Sequence, residues 1–556
     1  MLKPPACMSS KLHLPLVGQT TLSEILWATL PGILVCLAIL YPFYLSSGEF
    51  IYLDWNGGAV DLTPYTHFFE IYGQDGFGFR WIPYLILQLP FVLLFGTASS
   101  AIFSKFIFLS IFAIGSLGLY LLLKPYPKPV YLLSVALLCF SPFVYERIMM
   151  GQFFVVLSLT SLPLTLYFTQ RFLSSPSLST AWQPTLALTL VNMQPHGLII
   201  NTSLTLAYLA IHALLNRKAL PSLSTPYLQF IALLFIFNLY WLLPYILLPS
   251  PTIFSAIDSS HLDFFQPRTS SNLNTLVKSA GMYGSWRENS MKLAYVNPPF
   301  GTMDAWKGFS VLFIVFLIFL SLYALLQHPT PLFLALALGW LLGILLATGI
   351  SHPWTSWLFD FLFAFVPLFS GFRDSNKWVE TVAIAYAVLA PIGLSLAFKK
   401  KNLLPACALV IILALVYNYP AIGLDGQLKP SIIPSEYLTM RSLAAPTGQT
   451  IYLPWMLYNT YNWSMAFGID GRIAAPAKFG FPAITFGASE ADVGGVSAKT
   501  QAISSCLAAQ NNSCLASKNI TRIINDECFM VSPMYSWLAN NTIYKKQGCL
   551  VAYEVN

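Results

Sequence analysis

Long apolar runs alternate with short polar joints from residue 25 to residue 417. The runs fall at 25–44, 102–123, 130–144, 154–168, 185–193, 198–215, 228–248, 311–326, 331–346, 379–398 and 404–417. Each is read as a helix crossing a bilayer, which takes about 20 largely apolar residues; the run at 185–193 is the least secure. A further run at 81–96 is short and broken by Pro83 and Pro90, and is read as half-inserted. The first run is too long for a signal-peptide core and lacks a small-residue cleavage site, so it is read as retained. After Pro420 the pattern changes. The tail is rich in Ser, Thr, Asn, Gly and Ala, with short runs at 450–453 and 550–555 that suit strands. The expected architecture is a polytopic α-helical membrane protein of about 11 spans, followed by a small domain of mixed α and β structure.

Composition supports this reading. Of 556 residues, 56% are hydrophobic and only 9% are charged, whereas a soluble protein carries roughly 25% charged residues. Aromatics at 15% suit interfacial belts. The net charge of +7 is no nucleic-acid signal, because the basic residues cluster at helix ends.

Those clusters orient the chain. Lys3 and Lys11 precede the first run, and Lys124, Lys128, Arg171, Arg217, Lys218 and Lys399 to Lys401 lie in short joints. The positive-inside rule places all of them in the cytoplasm. Counting crossings then makes residues 1–23 cytoplasmic, 24–420 the membrane domain with outer loops at 46–80 and 249–308, and 421–556 extracytoplasmic. Four cysteines of the tail, Cys506, Cys514, Cys528 and Cys549, ask for the same oxidising side. The simplest pairing is Cys506–Cys514 and Cys528–Cys549; the other reading is free thiols.

Unusual polar residues collect on the expected outer face. The first loop carries Asp54 and Asp61 among aromatics, with Glu70 and Asp75 nearby. An acid beside a bilayer serves as a general base or holds a metal; read blandly, it is a solvated loop residue. Glu146-Arg147, followed by Gly151-Gln152, lies between two spans. The pair is either an interfacial salt bridge or a phosphate site, with Glu146 orienting Arg147. His196, in Gln194-Pro195-His196-Gly197, is a kink histidine or a substrate contact. Arg373, Asp374, Lys377 and Trp378 precede a span on the side that disfavours cations, so they either anchor the interface by snorkelling or bind a phosphate. The chain has no P-loop, GxGxxG, HExxH or GxSxG.

Four of these segments, in this order, resemble the membrane part of the GT-C glycosyltransferase superfamily, and within it the α-(1→3)-arabinofuranosyltransferase type of mycobacterial cell-wall assembly. They are Val60-Asp61-Leu62-Thr63-Pro64 with Phe68, Glu146-Arg147 with Gly151-Gln152, Tyr240-Trp241-Leu242-Leu243-Pro244, and Arg373-Asp374 with Lys377-Trp378. The likeness covers roughly residues 20–420. It implies a polyprenyl-phosphate sugar donor, a glycan, lipid or protein acceptor on the outer face, and a first-loop acid as base. Asp61 fits the local pattern best, while Asp54 lies nearer the end of the first helix, and both are retained. The expected reaction is a single inverting displacement. Arg147, Arg373 and Lys377 would meet the leaving phosphate, with Glu146, Gln152, His196, Asp374 and Trp378 in support. A divalent metal is allowed but not required, and nucleic acid is not an expected partner. The competing readings are a lipid-linked glycan polymerase or ligase, a transporter, and a non-catalytic assembly factor.

Overall fold

The computed structural model describes residues 21–555, except 53, 56, 67, 69–76, 192, 218–219, 249–259, 268–273, 289–290, 294–300, 367–368, 439, 446, 456–458, 461–471, 474–482, 485–497 and 528–534. Helices take up every one of the eleven apolar runs. They are α1 (Leu22–Tyr44), α3 (Ser99–Leu122), α4 (Lys128–Cys139) continued by α5 (Pro142–Ile148), α6 (Phe153–Ser174), α7 (Leu178–Thr189), α8 (Pro195–Leu215), α9 (Leu220–Leu247), α10 (Met303–Gln327), α11 (Pro331–Ala347), α13 (Val379–Ala397) and α14 (Lys400–Tyr417). Between α1 and α3 lies α2 (Ile82–Phe95), the half-inserted candidate. Its 14 residues reach about 21 Å, short of a hydrocarbon layer of about 30 Å. At 12 residues, α7 reaches only about 18 Å. Among the described residues, nine helical stretches are long and apolar enough to cross a membrane.

Local chemistry explains the ends. A capping box starts α1: Thr21 accepts from the Glu24 amide and Glu24 accepts from the Thr21 amide. The break between α4 and α5 is Ser141-Pro142, with Ser141 capping and Pro142 at the first helical position.

The centre of the bundle is α13. It is buried without interruption from Val379 to Leu394, as expected of a helix apolar all round. A side chain at Gly393 would strike the Leu320 carbonyl at 2.0 Å, so α10 and α13 meet backbone to backbone. One helix was not expected: α12 (Pro353–Phe365), with Trp354, Trp357, Phe361 and Phe365 exposed along one side.

Beyond α14 the chain turns through Tyr419–Gly426 into the tail domain. Its strands are β1 (Gln449–Leu453), β2 (Asn459–Thr460), β3 (Arg472–Ile473), β4 (Ala483–Ile484), β5 (Ile520–Asp526), β6 (Ile543–Gln547) and β7 (Leu550–Glu554). Five form one sheet in the order β4-β1-β5-β7-β6, and β2 pairs with β3. Strand β1 runs parallel to β4 and β5, while β7 is antiparallel to β5 and β6. A disulfide joins Cys506 to Cys514, linking helices α15 (Ala498–Ala508) and α16 (Asn512–Ser517). Cys549 is also disulfide-bonded; Cys528 lies outside the described residues.

Candidate functional site

Four segments meet at one end of the bundle: the first loop, the turn from α5 into α6, the turn leading into α13, and residues 274–288. The turn at 149–152 is the floor. Gly151 has φ +70, and a side chain there would meet the Tyr52 carbonyl at 2.2 Å and the Trp55 nitrogen at 2.6 Å. Only glycine lets the first loop lie on this turn. The loop is itself tightly turned, because Tyr52 and Trp55 exchange two backbone hydrogen bonds of 3.0 Å. Both side chains are buried, Trp55 among the rings of Phe108, Phe153 and Phe154. Asp54 is left exposed at the tip, its amide on the Met150 carbonyl at 3.3 Å.

A chain of hydrogen bonds runs inward from that tip. Gln152 Nε2 donates to Asp54 Oδ2 at 2.8 Å, and Gln152 Oε1 accepts from Arg147 Nη1 at 2.7 Å. Arg147 also donates from Nη1 to Asp374 Oδ2 at 2.7 Å and from Nη2 to Asn376 Oδ1. Asn376 Nδ2 donates in turn to the Tyr283 carbonyl at 3.2 Å. Arg147 is fully buried, with its guanidinium 5.1 Å from the Phe143 ring. The geometry makes it a hub holding three side chains, and its salt bridge is with Asp374. Burial pushes the Asp374 carboxyl upward, but Arg147, Lys377 and Arg373 together outweigh that and hold it below the usual carboxylate range.

Glu146 turns away from the hub. It is fully buried and accepts from the Gly284 amide at 3.4 Å. The expected orientation of Arg147 by Glu146 is thus replaced by Asp374, Asn376 and Gln152. His196 binds the Gly371 carbonyl through Nε2 and sets its ring 5.0 Å from Phe372, so it pins the turn before α13. Trp378 stacks on the same Phe372 at 5.0 Å. Lys377 Nζ lies 3.9 Å from Asp374 Oδ2. Arg373 is half-buried, its guanidinium 4.8 Å from the Phe265 ring. Asp61 is half-exposed just before the short helix Thr63–Thr66. Glu70 and Asp75 lie outside the described residues.

Two buried acids escaped the sequence reading. Lys278 and Glu288 form a fully buried pair at 2.6 Å, and neither was named as a site residue. Ser158 donates to Glu380 at 2.6 Å, inside α13. An acid in an apolar run was the available signal. Among the described residues, no cluster of three or more His, Cys, Asp and Glu is placed to hold a metal ion.

No protein-family model matches the sequence, and no curated protein matches it either. Among solved structures, the chain is similar to the cryo-EM structure of arabinofuranosyltransferase AftD from mycobacteria. The TM-score is 0.58 and the identity 11%, over 96% of this chain and 42% of that one. At this identity the likeness is one of fold alone, a many-helix fold shared with that arabinofuranosyltransferase. The chain spans less than half the length of that neighbour. Looser matches are two crystal structures of the Archaeoglobus fulgidus oligosaccharyltransferase, with TM-scores of 0.47 and 0.43 at 12% identity, each over 90% of this chain and 68% or 69% of that one. Within this fold, the Asp54 tip and the hub lie where the first loop, α6 and α13 converge.

Proposed function

We propose that the chain is a membrane glycosyltransferase. It moves a sugar from a polyprenyl-phosphate donor to a hydroxyl of a glycan, lipid or protein on the extracytoplasmic face, with inversion. The observation that carries this is the Asp54–Gln152–Arg147 chain, which ties an exposed carboxylate on a rigid turn to a buried cationic hub. Asp54 takes the acceptor hydroxyl proton as that oxygen attacks the anomeric carbon. The bond from that carbon to the phosphate oxygen breaks, and prenyl phosphate leaves with the electron pair. Lys377 and Arg373, on the turn beside the hub, meet the developing charge.

The outward orientation rests on the orienting charges. The site gathers at the beginning of α6 and of α13, whereas Arg171 lies in the last turn of α6 and Lys399 to Lys401 lie just past the far end of α13, at the start of α14. At that far end Lys124 is 3.8 Å from Glu24 of α1, and Lys128 lies 4.9 Å over the Trp27 ring. Cations gathered at one end mark it as cytoplasmic.

The test is Asp54→Asn and Asp61→Asn, assayed separately for sugar transfer from a prenyl-phosphate donor. Asp54→Asn keeps an oxygen to accept from Gln152 and is expected to fold. Its turnover falls about 10²- to 10⁴-fold, and Asp61→Asn retains most of its activity. Full activity in Asp54→Asn refutes the base assignment, and loss confined to Asp61→Asn transfers the role to Asp61.

A further inference from the structure

The five-stranded sheet has two faces, and they pack on different things. Along β1, β5 and β7 alternate residues point to opposite sides. Ile451, Ile523 and Val551 pack in a cluster with residues of α15 and α16. Their immediate neighbours Tyr452, Ile524 and Ala552 pack in another, and that cluster includes Ile51 and Val60 of the first loop. The domain thus covers one face of its sheet with its own helices, while the other is shared between its own Tyr437 and Leu443 and the loop that carries Asp54.

The grip brackets the acid. On one side, Glu49 and Ser431 exchange two backbone hydrogen bonds of 2.8 Å, and Ile51 enters the sheet's cluster. On the other side, Val60 enters the same cluster. The bundle holds the loop between these points. Tyr52 and Trp55 are in the bundle core, the Gly58 amide donates to Ser100 at 3.0 Å, and Ser99 donates to the Ala59 carbonyl at 2.6 Å. Asp54 therefore lies on a span of chain clamped between two bodies.

The path joining those bodies is also fixed. Gly423, Leu424, Asp425 and Gly426 have φ of 57, 54, 49 and 65, a left-handed turn that Leu and Asp rarely adopt. Leu424 is fully buried. The next residue, Gln427, accepts from the Lys292 amide at 2.8 Å and donates to the Tyr145 hydroxyl at 2.7 Å. Tyr145 stands two residues before Arg147, so the chain entering the domain is tied to the helix that carries the hub.

We propose that the C-terminal sheet is a positioning element for Asp54, and that Ile524 and Tyr452 act on the reaction through the apolar cluster they share with Ile51 and Val60. This rests on the assignment of Asp54 as the base. Ile523 and Ile524 give a matched pair for the test: adjacent in one strand, both fully buried, and facing opposite ways. In the full-length protein, Ile524→Ala is expected to speed hydrogen exchange of amides 51–60 on the order of tenfold. It lowers kcat on the order of 10- to 100-fold with donor KM unchanged. Ile523→Ala leaves loop exchange and kcat near wild type. Should the alanine variants fail to fold, the milder Ile→Val pair is read in the same way, with smaller changes. Equal loop exchange in the two variants, or no change in either, overturns the proposal. A loop that loosens only in the Ile524 variant of a protein that transfers no sugar upholds the grip and removes the transferase reading.

Discussion

Gln152 is the most informative residue to perturb, because its amide faces two ways. It accepts from Arg147 at 2.7 Å and donates to Asp54 at 2.8 Å. Gln152→Glu preserves the first bond and reverses the second, setting two carboxylate oxygens about one hydrogen bond apart. At 2.8 Å the repulsion between two such charges is roughly 1.5 kcal/mol in water and about 6 kcal/mol at an effective dielectric constant of 20. Asp54 is exposed, so the lower part of that range applies. Divided by 1.36 kcal/mol per unit, it corresponds to about 1 to 2 pH units. Initial rates of sugar transfer across pH should therefore show the acid limb of kcat displaced upward by about that amount, with activity recovering at higher pH. Gln152→Leu serves as the contrast. It severs both bonds and adds no charge, so kcat falls at every pH without the charge repulsion that Gln152→Glu introduces. Superimposed limbs for wild type and Gln152→Glu would refute the coupling of Asp54 to the hub.

Two further outcomes follow from the same contacts. The Asp374 carboxyl is held below its usual range by its cationic neighbours, so its contribution to stability is complete above the unfolded value of about 3.9 and is lost as pH falls through the folded value. Thermal unfolding of Asp374→Asn should show a loss of about 3–5 kcal/mol near neutral pH, because Arg147 is left buried without its countercharge, and a shallower decline on acidification than wild type. In the tail domain the Cys506–Cys514 bond closes a separation of 8 residues. By chain entropy Cys506→Ser should then cost about 2–3 kcal/mol, read by denaturant titration of the sheet, with reductant abolishing the difference.

The spans were legible because a bilayer demands long apolar runs, and all eleven runs became helices. The 81–96 stretch, read as half-inserted on its two prolines, forms the 14-residue helix Ile82–Phe95. Helix α12 carries Trp354, Trp357, Phe361 and Phe365 at helical spacing, but its 13 residues fall short of the run length that marks a span. The odd polar residues stood out against an apolar background, but their pairing did not. Glu146 and Arg147 are adjacent in the chain, yet residues i and i+1 of a helix face different ways. The real partner of Arg147 is Asp374, 227 positions away, and no local pattern encodes that distance. Strand alternation at 450–453 and 550–555 announced a sheet. It did not say that the face opposite the domain's own helices would take up Ile51 and Val60.

A buried ion network at the end of a membrane bundle is a weak source of stability, because desolvating Arg147 and Asp374 costs about as much as their attraction returns. An apolar set of equal volume could hold the helix ends together as well. What such a set could not do is fix the direction of a polar side chain on the surface. The hub does this: two acceptors, Asp374 and Asn376, come from the turn before the most buried helix, so the Arg147 fork is referenced to the rigid centre of the fold. Gln152 then carries that reference outward over one side chain to Asp54. A network kept only for cohesion has no need to end on an exposed acid; if Asp54 is the proposed base, this is the contact that would orient it, and the Gln152 variants test that link.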